Sequence, residues 1–155
     1  MSDQFNALTG VPNVCQALPA LITGGQPSEA QLRSLGAAGG AIVLDVRDPM
    51  EPRPLDEPAL VRQLGMEYVN IPITPGTLTD KTIEGILEVL RKAGEKPVFA
   101  HCGSGSRVAG ALIPYLMLDL KMEEGDAVNQ AMRMGLRSPE MLDWGVDYGR
   151  RHKAV

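Results

Sequence analysis

The chain has 155 residues, of which 44% are hydrophobic and 22% are charged, and its net charge at pH 7 is −4. This length fits a single domain with a substantial core, taken here as residues 1–155. The negative charge and the scarcity of aromatic residues disfavour a nucleic-acid-binding surface. No apolar run approaches the roughly 20 residues that span a bilayer, no secretory leader is recognisable, and two cysteines make no disulfide framework. We therefore expect a cytoplasmic protein without nucleic-acid or membrane partners.

The first half of the chain alternates between strand and helix patterns. Residues 1–17 are predicted to be an irregular lead-in, and Leu18 to Ile22 a short strand. Ser28 and Gln31 form a capping box for a helix that stops at Gly39-Gly40. The continuous apolar run from Ala41 to Val46 predicts a buried parallel strand. The later elements in this half are a proline-rich loop over 48–58, a short helix over 58–64 and a strand over 67–71.

The second half is mainly helical. Thr79 is predicted to cap an amphipathic helix that Gly94 ends, and Val98 to Ala100 form a short strand. Three helices then follow, over about 106–120, over about 124–134, and from Ser138 onward; Pro114 predicts a kink or a break in the first of them. The alternation of strands and helices predicts an α/β domain with a mainly parallel sheet and helices on both faces.

A histidine, a cysteine and a small-residue loop follow the strand at Val98 to Ala100. The loop between Cys102 and Arg107 contains only glycine and serine: Gly103, Ser104, Gly105 and Ser106. Its amides and the N-terminus of the next helix can converge on an anion, and together with Arg107 they favour a thiolate at Cys102. Cys102 is therefore a candidate nucleophile, and Arg107 is suited to bidentate binding of an oxyanion.

The neighbouring residues allow more than one interpretation. His101 is expected to turn its ring away from the ligand because strand neighbours alternate faces. It either hydrogen-bonds the loop and lowers the pKa of the thiol or is a structural core histidine. Ser104 and Ser106 either bind the thiolate or satisfy loop amides. Cys15 has no comparable surroundings and is interpreted as structural. Two cysteines and two histidines lack metal-ligand spacing, and no dinucleotide fingerprint is present, so we expect neither metal nor cofactor.

These residues carry a family resemblance. The His-Cys pair, the glycine-rich loop, the arginine and the helix resemble the signature of cysteine-dependent phosphatases of the tyrosine and dual-specificity class. Upstream, Ile22-Thr-Gly-Gly-Gln-Pro-Ser28, the helix ending in Ala37-Ala-Gly39 and the strand Ala41-Ile-Val-Leu-Asp-Val-Arg47 resemble a bacterial phosphatase-like family that is also found fused to beta-lactamase-like hydrolases. The similar stretches cover roughly residues 18–136.

The resemblance implies a dual-specificity-phosphatase-like fold and hydrolysis of phosphomonoesters through a thiophosphate on Cys102. It also implies binding of oxyanions such as phosphate, sulfate and vanadate. The family uses an aspartate on a mobile upstream loop as general acid, for which Asp80 and Asp48 are the candidates.

Two departures keep other functions open. The phosphatases usually place one more residue between cysteine and arginine, whereas the shorter loop resembles that of single-domain rhodaneses. Val108 also stands where the family usually has a serine or threonine that helps the thiolate leave.

The alternatives are a sulfurtransferase that takes sulfur from a sulfane-sulfur substrate as a persulfide on Cys102, and an oxyanion-binding module with little turnover. The His-Cys pair, the Gly-Gln-Pro segment and three helices after the loop favour the phosphatase, since a rhodanese is expected to have another strand there.

Overall fold

The computed structural model describes residues 2–153. The five strands are β1 (Cys15–Leu18), β2 (Leu21–Gly24), β3 (Ile42–Asp45), β4 (Glu67–Asn70) and β5 (Val98–His101). The helices are α1 (Asp3–Ala7), α2 (Glu29–Ala37), α3 (Glu57–Gln63), α4 (Asp80–Ala93), α5 (Ser106–Leu118), α6 (Glu124–Met134) and α7 (Pro139–His152), and a 3₁₀ turn covers Pro75–Thr77. Within residues 2–153 no helix is both long enough and apolar enough to span a membrane.

The strands form one sheet in the order β1-β2-β5-β3-β4. All neighbouring pairs are parallel except the hairpin of β1 and β2. β5 lies at the centre, where His101 is in register with Gly24 on one side and with Asp45 on the other. The carboxyl ends of three parallel strands therefore meet at one edge, which is where sheets of this kind bind ligands.

Helices cover both faces of the sheet, as the sequence predicted. One core cluster joins α4, α5, α6 and α7 to the sheet, and it includes Val98 and Ala100 of β5. The other joins α1, α2 and α3 to the opposite face, and it includes Phe99. The side chains of β5 thus alternate between two apolar layers, because successive residues of a strand point to opposite faces.

Local capping chemistry explains where several helices begin and end. Ser28 and Gln31 form the predicted reciprocal capping box at α2. Thr79 accepts a hydrogen bond from the backbone of Thr82 at the start of α4, and Gly94 follows the last residue of that helix. Ser138 caps α7 in the same way. These boundaries agree with the sequence-based expectation.

The prediction that residues 1–17 are irregular is wrong. In its described part it contains α1 and most of β1, and β1 pairs with β2 as an antiparallel hairpin. The strand predicted over Leu18 to Ile22 instead spans the turn of this hairpin. Pro19 lies in that turn, where its missing amide hydrogen costs no ladder hydrogen bond.

The break considered at Pro114 does not occur, because α5 is continuous over Ser106–Leu118. Proline at this position has no amide hydrogen for the carbonyl of Gly110, four residues earlier. That carbonyl instead approaches Gly145 of α7 so closely that a Cβ atom on Gly145 would collide with it. A glycine on the partner helix therefore accommodates the carbonyl that the proline leaves without its helical donor.

Candidate active site

Cys102 follows β5 directly, at the carboxyl edge of the sheet. Its amide donates to the carbonyl of Gly24 at 3.2 Å, which extends the pairing of β5 with β2 by one residue. The thiol is buried, and the amide of Gly105 donates to Sγ at 3.1 Å. The loop thus directs a backbone hydrogen-bond donor at the sulfur.

The loop is fixed by residues from distant parts of the chain. The amide of Gln26 donates to the carbonyl of Gly103 at 3.1 Å, and Asn13 Nδ2 donates to the carbonyl of Ser104 at 2.7 Å. The hydroxyl of Ser106 accepts a hydrogen bond from the backbone of Arg137 at 2.9 Å. Of the two roles left open for Ser106, this contact corresponds to satisfying a backbone amide.

Gly105 has the backbone conformation that most requires glycine in this loop. Its φ is +105°, which lies in the region that side chains with a Cβ atom disfavour. A Cβ atom there would also lie 3.1 Å from the carbonyl oxygen of Met134. The left-handed residue turns the chain from the loop into the first turn of α5 and keeps its amide directed at Sγ.

Several amides around the thiol have no protein acceptor. In the part of the chain that the structure describes, the backbone N–H groups of Gly103, Ser104, Ser106 and Arg107 donate to no protein oxygen. The last two belong to the first turn of α5, whose amides carry the positive end of the helix dipole. Unpaired amides beside a helix N-terminus are suited to bind an anion.

Arg107 adds a guanidinium to this group of donors. Its Nη2 lies so near Gly103 that a Cβ atom on that glycine would be 3.2 Å away. The two terminal nitrogens donate to Glu51 at 2.7 and 3.0 Å. The hydrogen bonds that Arg107 donates to Glu51 raise the pKa of Arg107, and the charge of Cys102 acts in the same direction. In turn, the hydrogen bond from Arg107 lowers the pKa of Glu51 to about 2 despite its partial burial.

A tight turn after β3 delivers Glu51 to the arginine. The amide of Asp48 donates to Glu51 Oε2 at 2.7 Å, and the carboxylate of Asp48 accepts from the amide of Met50 at 2.9 Å. Arg47 Nε lies 3.4 Å from Glu51 Oε1. The candidate acid Asp48 is therefore on the same turn as the residue that binds Arg107.

The other candidate acid has a different environment. Both carboxylate oxygens of Asp80 accept hydrogen bonds from Arg151 of α7, at 2.9 and 2.6 Å. These hydrogen bonds lower the pKa of Asp80, which is exposed to solvent. A carboxyl group with a lowered pKa is a poor proton donor near neutral pH.

His101 places its ring on the face opposite the thiol, in agreement with the expected alternation. The ring stacks on Phe99 with centroids 5.2 Å apart, and Nε2 bonds to Glu57 Oε2. Nδ1 lies 3.2 Å from the carbonyl oxygen of Cys102. The ring therefore contacts the backbone of Cys102, while both His101 and Glu57 are fully buried.

A buried polar cluster lies beneath the loop. Oxygens of Asp45 and Glu57 and a ring nitrogen of His101 lie within 4.8 Å of one another, which is close enough for metal ligands. Arg53 donates to Asp45 at 2.8 Å, so a cationic side chain already lies beside these groups. The arrangement is explained by protein hydrogen bonds and requires no ion.

Three participants in the site were not singled out from the sequence. The sequence could have indicated Glu51, because it lies in the charged, proline-rich loop that leaves the carboxyl end of β3. Glu57 precedes Pro58 in a first helical turn, where an acid is ordinarily explained by the helix dipole. Gln26 belongs to the Gly-Gln-Pro segment but had no assigned role, and its amide side chain bonds to Glu57 at 2.8 Å.

Comparison with known families identifies the chain. The model of a family described as DSP-PTPase phosphatase fused to NAD+ kinase matches residues 13–141. The chain belongs to this family. Residues 13–141 therefore form a domain of the dual-specificity phosphatase class, and the sulfurtransferase alternative is not favoured. In the described residues after β5, the chain has only helices and lacks the additional strand expected of a rhodanese.

Individual proteins resemble the chain in sequence or in fold. The Beta-lactamase hydrolase-like protein of Agrobacterium fabrum (strain C58) is 31% identical over 110 residues, which cover 68% of this chain and 25% of the relative. A DUF442 protein from Shewanella putrefaciens CN-32 has a similar fold, with a TM-score of 0.84, 22% identity, and coverage of 97% and 99% of the two chains. P. aeruginosa TpbA, whose structure was determined in complex with pTyr, has a TM-score of 0.69, 17% identity, and coverage of 89% and 83%.

Proposed function

We propose that the protein hydrolyses phosphomonoesters by double displacement at Cys102. The thiolate attacks phosphorus, an S–P bond forms, and the ester P–O bond breaks as the leaving oxygen takes up a proton. Water then attacks the thiophosphate, which releases phosphate and restores the thiolate. The proposed role of Arg107 and the loop amides is to bind the nonbridging oxygens while negative charge shifts onto them.

The set of donors around one sulfur atom is the observation that carries this proposal. The amide of Gly105 already bonds to Sγ, and the neighbouring amides of Gly103, Ser104, Ser106 and Arg107 have no acceptor within the described residues. A phosphoryl group bound above Sγ supplies acceptors for such amides. A thiol that served only as a core residue does not require these donors.

Aryl phosphates are the proposed substrate class for a first assay. TpbA has been crystallised in complex with pTyr, and this chain has a similar fold. An aryl leaving group also needs little protonation, so its release depends on the nucleophile and the anion site more than on the general acid. The assay therefore tests the part of the site that the geometry describes best.

The experiment measures phosphate release from a small aryl phosphate between about pH 5 and pH 8. Cys102→Ser is expected to lose at least about a thousandfold in kcat, because the alcohol is a far weaker nucleophile at these pH values. Mass spectrometry of rapidly quenched wild-type protein should detect a phosphoryl group on Cys102.

Cys15→Ser provides a matched control. Burial raises the pKa of Cys15, partly opposed by the charge of Arg133, so its thiol is not activated. The control is expected to retain wild-type turnover. Reduced, folded wild-type protein that releases no phosphate would contradict the proposal, as would a Cys102→Ser variant that remains active.

A further inference from the structure

Glu57 is a fully buried carboxylate at the start of α3. Its position in the first helical turn does not require this burial, because an exposed acid also stabilises a helix N-terminus. Removing a carboxylate from water is costly unless hydrogen bonds and an opposite charge compensate. Gln26 Nε2 donates to Oε1 at 2.8 Å, but this amide is neutral. The group that contacts Oε2 is the ring of His101.

The contacts of His101 determine where its protons lie. A backbone carbonyl only accepts hydrogen bonds, so Nδ1 carries a hydrogen in its contact with the carbonyl of Cys102. The contact between Nε2 and Glu57 then needs one more proton, either on the ring or on the carboxyl group. Gln26 donates to the carboxylate, which favours placing that proton on the ring and the negative charge on Glu57.

The other charged side chains near His101 and Glu57 already have partners of opposite charge. Asp45 accepts from Arg53 at 2.8 Å and from the hydroxyl of Tyr68 at 2.7 Å. Burial and the neighbouring Asp45 raise the pKa of Tyr68, so the phenol stays neutral. The backbone of Arg47 also donates to Asp45, at 2.9 Å. Because Arg53 is bound to Asp45, the ring of His101 is the group in direct contact with Glu57 Oε2.

The charged side chains around the loop are also paired with one another. Arg107 and Arg47 both bond to Glu51, which lies above the loop in the turn after β3. Although burial alone would raise the pKa of Glu57, hydrogen bonding and charge from His101, with Gln26 and Arg53, hold it below its ordinary value. The direction of this shift agrees with a carboxylate beside a protonated ring.

We propose that Glu57 is a positioning residue that keeps His101 protonated beneath Cys102 and thereby favours the thiolate nucleophile. The argument rests on the proposed role of Cys102. The protonated ring donates from Nδ1 to the carbonyl of Cys102, which fixes the start of the loop, and it places a positive charge on the residue that directly precedes Cys102. Glu57 touches neither sulfur nor substrate and acts through the histidine.

The test measures the rate of alkylation of Cys102 by iodoacetamide as a function of pH, in a Cys15→Ser background. Glu57→Gln keeps the size of the side chain and an oxygen acceptor but removes its charge. The midpoint of the pH profile is expected to move upward by about one unit or more. Without Glu57 the ring of His101 loses its positive charge, and a shift of this size is expected when a positive charge near an ionising thiol is lost. Glu29→Gln is the matched control, since Glu29 lies in the first turn of α2 and is exposed.

A second measurement on the unsubstituted protein covers the case in which Glu57→Gln does not fold. Nitrogen-15 NMR of the imidazole rings, assigned with the help of His152→Gln, is expected to show two ring protons on His101 at pH 7. A single ring proton would overturn the proposal, as would an unmoved alkylation midpoint in folded Glu57→Gln. Alkylation needs no turnover, so these results are independent of whether phosphate release is observed.

Discussion

Glu51 binds the guanidinium that is proposed to bind the substrate oxyanion. The loop after β3 presents its carboxylate to both terminal nitrogens of Arg107, while the amide of Asp48 holds one of the carboxylate oxygens. A substrate oxyanion therefore meets an arginine whose side chain is already oriented. The cost of ordering a long, flexible side chain is met in the folded protein before substrate arrives.

The ion pair of Glu51 with Arg107 predicts a pH dependence of stability. The pKa of Glu51 is about 2 in the folded protein against an ordinary value of 4.5, so its contribution is fully present above about pH 4.5 and is lost as the pH falls through about 2. We expect Glu51→Gln to lower the free energy of unfolding at pH 5 by about 1 kcal/mol, because the pair is partly exposed. This corresponds to a Tm about 2–4 °C lower.

Thermal unfolding of both proteins between pH 5 and pH 2 checks this expectation. The difference in Tm between wild type and Glu51→Gln should shrink steadily on acidification. A difference that stays constant over this range would show that the charge of Glu51 contributes nothing to stability.

The two candidate general acids predict different leaving-group effects. Asp48 lies on the turn that carries Glu51, whereas the carboxylate of Asp80 is bound by Arg151. Asp48→Asn should lower kcat/KM for an alkyl phosphate by about a hundredfold and for a nitrophenyl phosphate much less, because only the alkoxide needs a proton to leave. Asp80→Asn should leave both values unchanged. A selective loss of alkyl phosphate hydrolysis in Asp80→Asn would reverse the assignment.

Among the secondary-structure elements, the junction of the loop with α5 is sensitive to a single added carbon atom. Gly105→Ala forces a Cβ atom into a left-handed conformation and against the carbonyl of Met134. The strain costs about 1–2 kcal/mol, and Tm should fall by several degrees. Phosphate release should fall further than the loss of folded protein explains, because the amide of Gly105 is the donor to Sγ.

Gly125→Ala is the matched substitution for this prediction. A Cβ atom on Gly125, in the first turn of α6, has no heavy atom within 4 Å. The Tm of the Gly125→Ala variant should be equal to or higher than that of the wild type, because alanine favours the helix more than glycine does. Differential scanning calorimetry of both variants measures the contrast. Equal Tm values for the two variants would contradict the strain argued for Gly105.

The elements themselves were largely predictable from local sequence signals. The capping box of Ser28 and Gln31, the cap at Thr79 and the apolar run of β3 depend on neighbours within a few residues. Pro114 was less predictable, because its outcome depends on Gly145 in a different helix. The hairpin of β1 and β2 was missed for a similar reason, since β1 is stabilised by pairing with β2 and carries only a weak pattern of its own.

At the level of the whole molecule, the sheet order brings the site together. The sequence indicated Cys102, Arg107 and the loop because they are contiguous and chemically distinctive. It did not indicate Glu51, Glu57 or Gln26 as their partners, because pairing across the sheet sets these contacts. The positions of β2 and β3 on either side of β5 explain why the Gly-Gln-Pro segment and the proline-rich loop both reach the cysteine.

The contact of Gln26 with Gly103 has a consequence for the order of folding. The loop is held on one side by residues just after β2, and β5 must be inserted between β2 and β3, which precede it by long stretches of chain. Pairings between distant segments form slowly, because the entropy of closing long loops is lost before the contacts are gained. We therefore expect Cys102 to acquire its contacts with the loop late in folding, and to react as an ordinary thiol in incompletely folded molecules. The rate at which its reactivity appears during refolding reports the closure of the central sheet.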